Sequence, residues 1–379
     1  MITDIKSWYQ VAGVRYHNKL EAYASALPNG WWPHWHFYED EFSQHNWTQE
    51  PTESLSELYA ARARQLRDQY NKIIVWSSGG ADSDNVIRSF YENGLHIDEI
   101  WHRHTQPWHN RTDSGTDPAN HCNELRLAFN PRLQEYLDRY PQAQYTKINV
   151  FDVVDASLPY WTQNTISDPY QTNSYNFLVA AKQRKHLLDS NKSTHSQSVC
   201  HVYGIDKPLI RRIGSEWFVC FSDGMVLNHN INSVDANYSE EFFYWHPAAC
   251  KLIAKQAFAI KKFFNQNVQL KQKITNPCYG SDRNIMEIVK SLIYPHWNNN
   301  WWQPNKHYND FYWGEIPWFY KNTDNTAVVN ANKLLSSYFQ EVKQIYSHLP
   351  QDQHNTTMIS PGQHSLPNNY SRFYKFADD

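Results

Sequence analysis

The sequence predicts an α/β fold organised around a parallel sheet. Three observations carry that prediction. Strand-like and helix-like patterns alternate between residues 55 and 203. Ile73-Ile74-Val75 is an unbroken apolar run, as a strand buried on both faces requires. A loop of small residues, Ser77-Ser78-Gly79-Gly80, breaks directly out of that strand. Flanking this α/β domain at residues 51–225 are an aromatic-rich extension at 1–50 and a mostly helical and irregular region at 226–379.

The extension reads as irregular, with Trp31-Trp32-Pro33-His34-Trp35 as its densest patch. A helix follows. Ser54 and Glu57 have the spacing of a capping box, and Leu55, Leu58, Tyr59, Ala63, Leu66 and Tyr70 share a face. Arg62, Arg64 and Arg67 read most simply as its solvated side. After the loop, Val86, Ile87 and Phe90 support a helix that stops near Asn93-Gly94. Ile97 to His104 is a second strand, followed by a polar loop over Asn110 to Asn120. A helix spans Glu124 to Tyr140, which Pro131 must start, kink or split. Gln144 to Val150 is the third strand, residues 172–189 suit a helix, and Val199 to Tyr203 is the fourth strand.

From Leu209 the pattern changes. Leu209 to Ile213, a Gly214-Ser215 turn and Glu216 to Phe221 predict a β-hairpin. Residues 247–266 predict a helix with Ile253, Ala257, Ile260 and Phe264 inward. The aromatic run Phe242-Phe243-Tyr244-Trp245 just before it reads as packing under a solvated basic face, with substrate binding as the alternative. Residues 294–320 show little periodicity, and a last helix near 329–347 precedes a polar tail.

At 379 residues the chain can bury a substantial core. Thirty-five basic against 38 acidic residues give a net charge of −3, so no global attraction to nucleic acid or acidic membranes is expected. Five scattered cysteines without a CxxC pair signal neither a zinc element nor a disulfide framework. A reduced cytoplasmic setting fits, which is the host cytoplasm for a viral protein. With no apolar signal core at Met1-Ile2-Thr3-Asp4 and no membrane-length run, a soluble protein without a membrane partner is expected.

The chemistry concentrates at residues 78–83, Ser78-Gly79-Gly80-Ala81-Asp82-Ser83. A strand, a glycine turn and a helix start bring backbone N–H groups and the positive end of a helix dipole to one point, which is an anion cradle. Ser78 and Ser83 add hydroxyls. Asp82 repels phosphate, so its place is either to hold the loop or to work through a metal. The string resembles the Ser-Gly-Gly-x-Asp-Ser signature of the PP-loop ATP pyrophosphatase superfamily (adenine nucleotide α-hydrolase-like) and lacks the Gly-Lys-Ser/Thr ending of a Walker loop. The superfamily includes asparagine, GMP and NAD synthetases, tRNA thiolation enzymes and deazaguanine nitrile synthases. The chain is also similar in texture, over residues 50–265, to PP-loop proteins of large tailed bacteriophages, through Leu58-Tyr59 and Arg62-Ala63 ahead of the loop strand.

The resemblance implies a HUP-like three-layer α/β/α domain, ATP and Mg²⁺ as cofactors, and cleavage of ATP between its α and β phosphates. The loop would hold pyrophosphate while AMP goes onto a carboxylate or carbonyl oxygen. An amine, ammonia or sulfur donor then displaces the AMP. No glutaminase segment with a Cys at position 2 is read, since Ile2 stands there, so ammonia would arrive free or from a partner. The acceptor is open between a metabolite and a nucleobase in DNA or tRNA, as is self-association. Binding without turnover, in a regulatory or structural protein, is the competing expectation.

Asp84 departs from the signature and would either carry metal or face solvent in the first helical turn. Tyr203-Gly204-Ile205-Asp206-Lys207-Pro208 closes the fourth strand on the same sheet edge as the loop. There Lys207 suits charge on the α-phosphate and Asp206 suits Mg²⁺. Of Arg211 and Arg212, on opposite strand faces, one can serve the nucleotide, and Arg211 is the candidate. His102, with His104, His109, His121 and Cys122, admits a metal cluster, while the resemblance implies a place for His102 in the nucleotide pocket. Cys122 and Cys200 admit a persulfide relay of the sulfurtransferase type, although nothing nearby activates a thiol.

Overall fold

The computed structural model describes residues 6–17, 19–104, 130–149, 198–226, 238–273, 283–297 and 369–379. Strand β1 (Ser7–Val11) pairs antiparallel with β2 (Val14–Tyr16) and with β3 (His34–Phe37), so residues 1–50 contain a three-stranded sheet where irregular chain was expected. Helix α1 (Lys19–Ala26) connects two of these strands, and α2 (Glu39–Ser43) follows the third. The sequence hid these strands because aromatic and histidine residues occupy both faces, which blurs the period-two pattern.

Helix α3 (Leu55–Gln69) begins with the expected capping box: Ser54 Oγ accepts from the Glu57 N–H, and the Glu57 carboxylate accepts from the Ser54 N–H at 2.8 Å. It leads into β4 (Lys72–Trp76), the Gly-rich loop and α4 (Ala81–Tyr91). Strands β5 (Glu99–His104) and β6 (Gln144–Asn149) flank α5 (Asn130–Arg139), whose second residue is Pro131. Proline is tolerated there because a first-turn N–H has no intrahelical acceptor.

The five-stranded sheet is parallel throughout, in the order β10-β7-β4-β5-β6, with β7 at Val199–Tyr203 and β10 at Tyr238–Phe242. β10 is an unexpected fifth strand, since Glu240 and Glu241 disguise it. From β4 the chain moves one way through β5 and β6, then returns to the other side of β4 as β7. The order therefore reverses between β4 and β7, and in such sheets ligands sit beyond the carboxyl ends of those two strands. Trp76 and Tyr203, the last residues of β4 and β7, are in register, so both strands end level and their loops leave side by side.

Ile73, Val75, Ile100, Cys200 and Val202 point to one face and join a single core with α3, α4, α5 and two later helices, α7 (Cys250–Gln266) and α9 (Arg283–Ile293). Ile253, Ala257, Ile260 and Phe264 are buried in it, as their spacing predicts. Phe242, Phe243, Tyr244 and Trp245 are also packed there. Ile74, Trp76, Trp101 and Val199 form a smaller apolar cluster apart from that core. The helix read at 172–189 lies outside the described residues, as do the loop at 110–120, the start of the 124–140 helix, most of 294–320 and the helix near 329–347.

The hairpin forms as expected from β8 (Leu209–Ile213) and β9 (Glu216–Cys220), with Gly214 at φ +61° in its turn. The end of the supposed polar tail adds a third strand, β11 (Tyr374–Asp378), antiparallel to β9. Between hairpin and β10 lies the short α6 (Asp223–Val226), and α8 (Val268–Lys273) follows α7. Asp223 pairs with Lys19 at 2.9 Å, and its Oδ2 accepts from the Tyr9 hydroxyl at 2.8 Å, in a fully buried knot that ties the N-terminal sheet to this part of the chain.

Arg62 corrects the reading of α3 as basic and solvated. It is buried and donates to the Glu241 carboxylate at 2.8 Å and to the carbonyls of Phe242 and Phe243. Arg67 binds Asp98 at 2.6 Å, and Arg64 alone of the three is exposed. An arginine buried on a helix is paired by residues distant in sequence, so local periodicity could not distinguish it from its solvated neighbours.

Candidate functional site

The loop after β4 is held from below. The Ser77 N–H donates to the Trp101 carbonyl at 2.8 Å, continuing the sheet ladder, while the Ser77 carbonyl accepts from Nδ1 of His102 at 2.8 Å. His102 is buried at the base of the loop. Gly79 takes φ +83°, a left-handed angle that glycine adopts without strain. The Gly79 and Gly80 N–H groups donate to the hydroxyls of Ser77 and Ser78 at 3.3 and 3.2 Å. Ser83 Oγ donates to the Gly80 carbonyl at 3.1 Å, so its hydroxyl braces the turn, while Ser78 is exposed.

Gly80 caps α4 without a side-chain acceptor, and the first backbone bond of the helix runs from the Asp84 N–H to the Gly80 carbonyl at 2.9 Å. The N–H groups of Ala81, Asp82 and Ser83 precede that bond and have no intrahelical acceptor, which is the donor array an anion needs.

The segment after β7 closes on this turn. A Cβ on Gly204 would fall 2.9 Å from both the Asp82 carbonyl carbon and the Ser83 nitrogen. Glycine at 204 is therefore required by the close approach of two backbones. Beyond it, Lys207 Nζ lies 2.7 Å from Asp206 Oδ1 and 3.5 Å from Asp82 Oδ1. The structure thus brings Asp82, Asp206 and Lys207 together, as the sequence led us to expect. Asp206 and Lys207 are buried, whereas the Asp82 side chain keeps 26% of its surface open.

Burial disfavours the Asp82 charge, but Lys207, Lys290 and the Tyr294 hydroxyl outweigh it and hold this carboxyl below its ordinary range. Burial raises Asp206 instead, with Asp82 pushing the same way against Lys207. The two carboxyl groups share Lys207, and oxygen donors placed together in this way suit a divalent cation. Lys207 and Tyr294 both meet Oδ1 of Asp82, and Lys207 meets Oδ1 of Asp206. Asp82 and Asp206 are therefore the residues suited to Mg²⁺, by donor type and by charge.

Sequence reasoning missed the tyrosines behind the loop. Tyr294 donates to Asp82 Oδ1, and Tyr244 donates to the Asp82 carbonyl at 2.8 Å. Asn85 Nδ2 donates to Tyr244 Oη at 3.0 Å, and the neighbouring Tyr59 accepts from Gln256 Nε2 and donates to the Ile293 carbonyl. The aromatic run at 242–245 was legible as packing, but its reach to the loop depends on β10, beside whose end the Phe243 N–H donates to the Tyr203 carbonyl at 2.8 Å.

Asp84 does not face solvent. It is buried, with Arg88 Nε 3.1 Å from Oδ2 and Arg132 Nε 3.7 Å from Oδ1. Arg88 hydrogen-bonds Oδ2, while Oδ1 has only the more distant Arg132 charge and no hydrogen-bond partner among the described residues. Arg211 is buried on β8, its guanidinium 4.2 Å from the Tyr370 ring centroid. Cys200 is fully buried on β7, and burial together with Glu241 pushes its thiol well above the ordinary value, the opposite of an activated sulfur. Cys122 lies outside the described residues.

Among known proteins, no family model and no curated sequence matches this chain. The functional reading therefore rests on the site itself. No helix among the described residues is long and apolar enough to cross a membrane.

Proposed function

We propose that the protein is a PP-loop ATP pyrophosphatase that binds ATP at residues 78–83 and transfers AMP to a carboxylate or carbonyl oxygen. The observation that carries this reading is the convergence of two strand ends at the sheet's reversal point. Gly204 lets the β7 exit touch the Asp82–Ser83 peptide, which sets Lys207 and Asp206 beside Asp82. A HUP-like architecture accords with the five parallel strands and with the loop's position after the central one.

The uncapped N-terminus of α4 takes the β and γ phosphates, which leave as pyrophosphate. The acceptor oxygen forms a bond to the α-phosphorus as the bond to the α–β bridging oxygen breaks. Lys207 stands where negative charge builds on the α-phosphoryl oxygens. Bound at Asp82 and Asp206, Mg²⁺ would supply neutralisation of the triphosphate. An amine, ammonia or sulfur nucleophile then displaces AMP. The acceptor is a metabolite or a nucleobase. The buried Cys200 lends no support to a sulfur relay at that position.

Binding without turnover is the second reading, favoured by the engagement of the Gly79 and Gly80 N–H groups with serine hydroxyls. The deciding experiment incubates the full chain with ATP, Mg²⁺ and panels of carboxylates, amides and nucleic acids, and measures AMP and pyrophosphate. Equimolar AMP and pyrophosphate, abolished in Asp82→Ala and Lys207→Met proteins with unchanged circular dichroism, supports the enzyme. ATP binding with no AMP under any acceptor supports the second reading.

A further inference from the structure

The N-terminal sheet holds a side-chain cluster that the nucleotide site does not use. His34 and His36 stand two residues apart on β3, so they share a strand face, and their rings lie 4.4 Å apart. Tyr38 then adopts φ +42°, a left-handed angle costly for a residue with a side chain. That turn starts α2 and sets Glu39 back beside the histidines. Glu39 Oε2 lies 3.7 Å from His34 Nε2 and directly against His36 Nδ1. One ligand atom from each of the three residues falls within 4.8 Å of the others.

Two further features point to an ion. Glu39 Oε2 is sealed from water and turned to the two histidine nitrogens rather than to any backbone or amide donor among the described residues. On the far side of its ring, His36 Nε2 is 3.0 Å from Gln10 Oε1, which would accept from a ring proton on Nε2. With the proton on Nε2, the Nδ1 lone pair and the Glu39 carboxylate oxygen stand side by side as two donors available to one ion. A histidine whose second nitrogen donates to an amide oxygen is oriented as metal-binding histidines are. Trp8 stacks on the ring at 3.8 Å and 5°, and Arg15 covers Trp8 at 3.9 Å, so the imidazole is set in place beforehand. Burial lowers the His36 imidazole below its ordinary value; Glu39 opposes this, and His34 and Arg15 add to it.

We infer that His34, His36 and Glu39 bind a borderline divalent transition-metal ion, with Zn²⁺ the best fit. Two imidazoles and one carboxylate suit Zn²⁺ over Mg²⁺, whose preferred ligands are oxygens. Three protein ligands leave a tetrahedral position open, and a groove of about 780 Å³ bordered by Lys6, Trp8, Arg15 and Arg372 runs alongside it. This site is separate from Asp82 and does not depend on the ATP reading.

The test is titration of chelator-treated full-length protein with Zn²⁺ by calorimetry, and with Co²⁺ by visible absorption. With 19 histidines in the chain, weak background binding is expected, so the comparison is with single variants. The unaltered protein should take up one Zn²⁺ per chain at this site. His34→Ala and Glu39→Gln should each weaken it by at least about ten-fold, and Gln10→Ala by about ten-fold through the lost orientation of His36. His34 is half-exposed and Glu39→Gln keeps its shape, so both should fold, with the melting transition as the check. Uptake unchanged in His34→Ala and Glu39→Gln, or no uptake by the unaltered protein, overturns the assignment.

Discussion

Tyr294 donates its hydroxyl to the Asp82 carboxylate across 212 residues of sequence. Tyr244 holds the carbonyl of the same aspartate, so side chain and backbone are both fixed by segments far downstream of the loop. The loop is thereby pre-set by the core beneath it, which lowers the cost of ordering it around a ligand.

Tyr294→Phe removes one of the groups that keep the Asp82 carboxyl low. A depressed carboxylate gives stability that is present above its unfolded value and lost as pH falls through the folded one. Loss of the hydroxyl moves the folded value up, so the acid limb of ATP cleavage should shift to higher pH. Stability should fall by about 1–3 kcal/mol, as for a hydrogen bond to a charged group. A pH–rate profile and urea unfolding check both, and an unmoved acid limb would remove Tyr294 from the site.

Gly204→Ala tests the contact between the two strand exits. Gly204 has no left-handed φ, so the penalty comes from the new Cβ at 2.9 Å from backbone atoms of Asp82 and Ser83. Backbone cannot move aside as a flexible side chain can. A loss of about 1–3 kcal/mol is expected in urea unfolding, together with weaker ATP binding. Full stability with unchanged nucleotide affinity would show that the two segments separate freely.

His201 predicts an acid-sensitive fold. Burial pushes this imidazole down to about 4, and Trp76 Nε1 donates to its Nδ1 at 2.9 Å, a bond that protonation of that nitrogen would break. The unfolded ring takes up a proton as pH falls below 6.5, while the folded one stays neutral to about 4. Stability should therefore decline as pH falls across that window, by about 3 kcal/mol from this residue. His246, pushed down to about 3 by burial and Arg62, steepens the same decline. Unfolding free energies between pH 7 and 4 should flatten in a His201→Gln protein; an equal slope would assign the effect elsewhere.

Ending the chain at Phe373 tests the last strand. Tyr374 and Phe376 are buried, and the Asp379 carboxylate accepts from Trp217 Nε1 at 2.8 Å and pairs with Lys271 at 2.9 Å. Two lost aromatic side chains alone amount to about 3–6 kcal/mol by transfer. The melting temperature should fall markedly, and an unchanged value would show that the hairpin stands without β11.

Much of the central architecture was legible because it is local. The Ser54–Glu57 capping box, the Ile73–Val75 run, the Gly79-Gly80 turn and the four-three-four spacing from Ile253 to Phe264 each declare themselves within a few residues. Asp206 and Lys207 were legible too, because their place after a strand assigns them to a sheet edge. What misled was burial of charge. Arg62 looked like a solvated helix position and Asp84 like either a metal ligand or a solvated one, since nothing within a helical turn announces Glu241 or Arg132.

The sequence by itself determined the glycine turn, the strand that leads into it and the acidic and basic residue types that follow it and the fourth strand. Only the tertiary structure decided that β7 and β10 add to the β4 side of the sheet, and that the aromatic N-terminus is a sheet bearing a histidine cluster. It also decided that Tyr244 and Tyr294 stand behind Asp82. The division has a physical cause. Turns and caps are set by dihedral preference and neighbouring hydrogen bonds, whereas the partner of a buried polar group is set by which distant segment the core draws alongside it.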